Sequence, residues 1–175
     1  MYNLISQNCL CGDIYKNNLK IDYQNPFVWC VITFENMYNL ISKWDNINFL
    51  NYELKKDKNW NFSLNIDNKV NIQYVHYKFS YNDSTIRKNG VDVFYNKIWE
   101  YIIEIYEKRI QKMLNNKENP LFCICNFDTI YKDAIYTKEQ LQILSKFNNV
   151  KILRGCEKMS PSAAADLFYK TFLIK

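Results

Sequence analysis

The sequence predicts an α/β fold. The expectation is a single layered domain with a mixed, partly parallel sheet flanked by helices, and a terminal helix docked on it. Three observations predict it. Segments with two-residue apolar alternation give way repeatedly to segments with helical spacing. The 175 residues are 48% apolar and 17% aromatic, enough to build a core without disulfides or metals. No internal repeat or long linker interrupts the pattern. The expected organisation is an α/β domain over residues 1–155, with a helix over 156–175 packed on it.

The elements follow in order. Tyr2 to Ser6 is a short apolar run and predicts a strand, and Cys9 to Asn18 predicts a short helix. Phe27 to Phe34 is aromatic and β-branched and follows Asn25-Pro26, so it predicts a buried strand or extended segment. Met37, Leu40, Ile41 and Trp44 share one face of a helix over Glu35 to Trp44. Asn46 to Asn68 is polar and broken, which predicts loops with a short strand.

Val70, Ile72, Tyr74, His76 and Lys78 alternate with the opposite face of a strand over Val70 to Phe79. Asp92 to Leu114 is the longest helix, with Phe94, Ile98, Tyr101, Ile102, Ile105 and Ile110 as its apolar stripe. Leu121 to Phe127 predicts a second buried strand. Thr137 and Gln140 form a capping box for a helix to Phe147, and Val150 to Leu153 predicts a last strand. Ser160-Pro161 starts the terminal helix, with Ala164, Leu167, Phe168 and Phe172 inward and Ala165 and Lys170 elsewhere. The strands over 2–6, 70–79, 121–127 and 150–153 are expected in one sheet, with an antiparallel hairpin allowed in the middle.

The formal charge is +5, and the lysines are spread along the chain among acids. That pattern argues for a solvated surface and against a nucleic-acid partner. No stretch reaches the length of a membrane span, and the opening residues lack a signal-peptide pattern. The expectation is a cytoplasmic protein whose six cysteines are mostly reduced.

The chemistry-bearing residues start with Cys9. It follows a strand and two polar residues and begins a helix, where unpaired N–H groups and the helix dipole favour thiolate over thiol. The same N–H groups offer an oxyanion hole. His76 is the single histidine. A thiol enzyme needs a base, and His76 is the imidazole available. Asn126 or Asp128, just past a buried strand, would orient it, with Asp83 a weaker choice. The bland alternatives are an ordinary buried thiol at Cys9 and a core histidine at position 76.

Cys9/Cys11 and Cys123/Cys125 are Cys-x-Cys pairs. Zinc sites space close ligands by two or more residues, and two residues apart on a strand share a face, so these pairs suit packing and no metal is expected. Cys30 and Cys156 read as packing residues. Three glycines in the chain leave no phosphate loop or dinucleotide fingerprint. No Asp-x-Asp stands where a metal-dependent glycosyltransferase would need it.

Ile5-Ser6-Gln7-Asn8-Cys9 with Gly12 and Tyr15, then Asn25-Pro26-Phe27 and His76-Tyr77-Lys78, resemble a bacterial exopolysaccharide-biosynthesis family of unknown function. Asn8-Cys9, Pro26-Phe27-Val28-Trp29, His76, and Tyr106-Glu107-Lys108-Arg109 with Leu121-Phe122-Cys123-Ile124 resemble the related bacterial papain-like cysteine peptidases. The resemblance runs over residues 3–154. Val28 stands where that pattern has an acid, Cys11 departs before Gly12, and only Lys108-Arg109 remains of the basic run.

The resemblance implies a cysteine-dependent hydrolase or acyl-transfer enzyme in capsule or exopolysaccharide production. Cys9 would be the nucleophile, His76 the base and Asn126 or Asp128 the orienter. Asn8, Gly12, Tyr15, Trp29, Tyr77 and Arg109 would contact a glycan, nucleotide-sugar or peptide-like substrate, with no cofactor. Two rival readings stand beside it. One is a nucleotide-sugar or glycan-processing enzyme without thiol chemistry, in which Trp29, Tyr77 and Tyr81 stack on sugar rings. The other is a non-catalytic binding module, motivated by the missing acid at Val28.

Overall fold

The structure is a computed structural model that describes residues 3–58, 61–74, 91–115 and 120–174. Its first elements are β1 (Leu4–Ser6), α1 (Leu10–Asp13) running on into a π-helical turn over Ile14–Leu19, β2 (Cys30–Val31) and α2 (Phe34–Ser42). There follow β3 (Tyr52–Lys56), β4 (Phe62–Ile66), β5 (Val70–Tyr74) and the long α3 (Val91–Asn115). The chain ends with β6 (Leu121–Cys125), α4 (Lys138–Leu144), β7 (Val150–Leu153) and α5 (Pro161–Phe172).

The fold is α/β, as expected, but its strands sort into two sheets. The first is parallel, in the order β1-β6-β7; the second is antiparallel, in the order β2-β5-β4-β3. The expectation of one sheet is therefore corrected for β5, which pairs with β4 and with β2. The turn between β4 and β5 supplies the reason. Asp67 and Asn68 both adopt left-handed backbone (φ 53° and 52°), and Lys69 N–H donates to Ile66 O at 2.9 Å. Two left-handed central residues give a turn whose twist matches a hairpin, so β5 folds straight back on β4. The stretch expected as loops with one short strand thus contributes two strands, β3 and β4, paired from Tyr52↔Ile66 to Lys56↔Phe62.

The parallel sheet is covered on both faces. Ile5, Phe122 and Ile124 face a large core shared with α2, the antiparallel sheet and Ile98, Ile102, Tyr106 and Ile110 of α3. Leu4, Cys123 and Cys125 face a second cluster with Leu10, Ile14 and Tyr15, and with Ala164, Ala165 and Phe168 of α5. Alternation along β6 produces this division, because successive side chains leave opposite faces. Two stripes need correction. Tyr101 is 42% exposed, whereas Tyr106 and Met113 are buried. On α5, Ala165 is buried and Leu167 is exposed. The terminal helix docks in the same chain, but against α1 and the turn that follows it, and it meets the sheet through their common cluster.

The local signals hold closely. Thr137 and Gln140 form the reciprocal capping box of α4. Ser160 caps α5 by accepting from Ala163 N–H, with Pro161 in its first turn. Among the described residues, no helix is long and apolar enough to cross a membrane.

Candidate functional site

All three strands of the first sheet run parallel, so the segments after β1, β6 and β7 emerge along one edge. In open α/β sheets that carboxyl edge is where ligands bind. Here it gathers Gln7-Asn8-Cys9, Asn126-Phe127-Asp128 and the loop that reaches Cys156. The sequence placed Cys9 correctly: it is the residue that caps α1 at the end of β1.

The loop before Cys9 is held in a defined register. Gln7 Nε2 donates to Cys125 O at 2.9 Å, and Cys125 N–H donates back to Gln7 Oε1 at 3.3 Å. The Gln7 amide thus acts as one more rung at the end of the β1–β6 ladder. Asn8 Nδ2 donates to the same Cys125 O at 3.0 Å. These amides are almost wholly buried, so each bond replaces a hydration that folding removes.

Two expectations about Cys9 change. The α1 terminus was expected to lower its pKa. Cys9 is only 6% exposed, and burial pushes its thiol up to about 12, helped by the carboxylate of Asp13 one turn on. Desolvation penalises the thiolate more than one short helix favours it. The N–H groups after Cys9 were expected to serve as oxyanion donors. Leu10 N–H donates to Asn8 Oδ1 at 3.2 Å, and Cys11 N–H donates to Ser6 Oγ at 3.1 Å. Side chains of the same loop therefore occupy both donors.

The other candidate positions have distinct surroundings. Asn126 Nδ2 donates to Tyr136 O at 2.7 Å, and Tyr136 N–H donates to Asn126 Oδ1 at 3.0 Å. Its amide is engaged at both ends in closing the loop over residues 126–136. Asp128 is exposed, and its N–H donates to Met159 O at 3.1 Å. Tyr15 is fully buried, and its hydroxyl accepts from Leu4 N–H at 2.7 Å. Gly12 is a seat for Trp29: a Cβ there would lie 2.7–2.9 Å from three atoms of the indole. Trp29 has a left-handed backbone (φ 65°), a strained conformation for a bulky residue, of a kind that clusters at functional sites. Arg109 lies apart from the Cys9 loop along the chain, on α3, with its guanidinium 4.6 Å from the centre of the Tyr23 ring. His76, Tyr77, Tyr81 and Asp83 lie outside the described residues.

Sequence reasoning missed Tyr131. Burial raises its pKa, and the proximity of Cys9 raises it further, so a neutral phenol stands near the thiol. Its place in an irregular loop carries no sequence signal. It also missed that Cys125, at the end of β6, and Cys156, just past β7, come together with their sulfurs in contact. Cys9, Cys11, Cys30 and Cys123 are buried cysteines outside that pair. Among the described residues, no three His, Cys, Asp or Glu side chains are grouped to hold a metal ion.

The fold and this edge define a mixed α/β protein with a buried thiol at the first strand of its parallel sheet. Comparison with family models, curated proteins and solved structures finds no match.

Proposed function

We propose that the chain is a cysteine-dependent hydrolase or acyl-transfer enzyme acting in bacterial surface-glycan production. The observation that carries this reading is the thiol of Cys9 fixed at the carboxyl edge of the parallel sheet by the Gln7 and Asn8 bonds to β6. A nucleophile gains most when its position is set before substrate arrives. The resemblance at Asn8-Cys9 and His76 supplies the glycan context and the base.

The high pKa shapes the mechanism. A thiol neutral at rest attacks only if a base removes its proton in the same step. The sulfur of Cys9 bonds to the carbonyl carbon of an acyl substrate, and the thiol proton passes to the imidazole of His76. The tetrahedral intermediate re-forms its carbonyl, the bond from carbon to the leaving alcohol or amine breaks, that group takes the proton from the imidazolium, and a thioester remains on Cys9. Water, or an acceptor hydroxyl, then attacks the thioester while giving its proton to the imidazole, and the Cys9 thiol is re-formed.

Acyl transfer from p-nitrophenyl acetate, followed by peptide mass mapping, tests the reading. The expected result is one acetyl group on Cys9, absent in Cys9→Ala. In His76→Ala it should form about a hundredfold more slowly. If Cys9→Ala releases p-nitrophenol as fast as the parent chain, with an unchanged melting temperature, the reading is wrong.

A further inference from the structure

Four lysines far apart in the sequence, with Arg109, line two neighbouring pockets. Two pockets of about 450 and 220 Å³ adjoin, sharing Asp22 and Tyr23. Lys16 and Lys20 line the first; Lys108, Arg109 and Lys112 line the second. Five basic side chains thus line two pockets that share the exposed Asp22. The arrangement is built, because each side comes from a different element. The turn after α1 supplies Lys16, and Lys20 follows in left-handed backbone (φ 53°). One face of α3 supplies Lys108, Arg109 and Lys112, spaced as helical neighbours. Tyr23 forms the floor, held edge-on by Tyr15 and Trp29 and covered by Arg109.

We infer that this groove binds a small ligand carrying a diphosphate, of the nucleoside-diphosphate class. Two groups of basic side chains that share Tyr23 offer each of two linked phosphates its own partners, which suits a diphosphate better than a single carboxylate. Arginine and lysine provide the geometry and charge that phosphate oxygens accept. Existing ion pairs do not oppose this strongly. Lys112 lies 3.7 Å from an Asp22 carboxylate that is 93% exposed, and Lys108 pairs with an exposed Glu104; such pairs contribute little and exchange readily. The groove uses no residue of the Cys9 loop, although Tyr23 packs against the same cluster as Cys9.

Calorimetric titration of the full chain with pyrophosphate and with uridine diphosphate tests it. Saturable one-to-one binding of both is expected, weakening as salt rises. Lys20→Ala and Lys112→Ala should each weaken it by about tenfold, while the exposed Lys146→Ala and Lys151→Ala, away from the groove, leave it unchanged. Arg109→Lys keeps the charge but loses the planar stack, and should weaken uridine diphosphate binding with the melting temperature preserved. The inference is overturned by absence of saturable binding at physiological salt, or by equal losses in groove and control variants. Binding of dextran sulfate without pyrophosphate binding would also overturn it, showing a surface for long polyanions.

Discussion

Gly12 and Trp29 show how closely the backbone near Cys9 is fitted. The indole rests where any side chain at position 12 would stand. Gly12→Ala must displace the ring, and Trp29 already holds a left-handed backbone that leaves it little freedom. Overpacking of this kind costs about 1–3 kcal/mol. The expected outcome is a lower melting temperature and a shift in tryptophan emission; a variant with parental stability and emission would show that the ring moves freely. The sequence located these residues but not the contact between them. Gly12 looked like a substrate contact because of a motif, and its steric role depends on a tryptophan 17 positions later in the chain. Asn126 was legible as a polar residue at a strand end. Its partner was not, because which backbone crosses a side-chain amide is settled only by tertiary structure. The Tyr136 backbone takes both ends of that amide, so Asn126 reads now as a loop anchor.

Helix signals were the most legible because caps are local. Thr137 with Gln140, and Ser160 with Pro161, act within one turn of themselves. Strand β3 was hidden by its position at the end of its sheet. Its residues Glu53, Lys55 and Lys56 are exposed, and charge on an edge strand is how sheets avoid joining other chains. Its partner β4 did carry a signal, the alternation of Phe62, Leu64 and Ile66 with Ser63 and Asn65, buried as the spacing requires. The terminal helix was predicted to need a partner, and it finds α1. Removing residues 157–175 would strip Phe168, Ala164 and Ala165 from the cluster that holds Cys9 and Cys11. Loss of one large buried side chain costs about 3–5 kcal/mol, so the truncation should lower the melting temperature sharply. It should also speed alkylation of Cys9. A truncated chain with the parental melting temperature and parental alkylation would show that the tail does not shield the thiol.

The two clusters on either side of the parallel sheet make the molecule one packed unit around β6, whose Phe122 and Ile124 face one way and Cys123 and Cys125 the other. Which strands share a sheet was not legible. Periodicity reports that a segment is a strand, whereas the Asp67-Asn68 turn decides its neighbour. The gathering of Lys16 and Lys20 beside Lys108, Arg109 and Lys112 was equally hidden, since it joins positions far apart in the chain. Burial by the whole molecule is also what sets the state of Cys9. A raised pKa means that folding favours the protonated thiol. Its contribution to stability is complete below the ordinary thiol range and is lost as pH rises from about 9 toward about 12. The account therefore rests on a thiol that is neutral at rest and reacts only when a base takes its proton. The rate of Cys9 carboxamidomethylation between about pH 6 and pH 10, read by peptide mass mapping, tests this directly, since a thiolate-limited reaction follows the ionised fraction. A rate that climbs about tenfold per pH unit across the whole range without levelling is expected. A plateau, or a half-titration point near neutral pH, would show a thiolate already formed in the resting protein and contradict it.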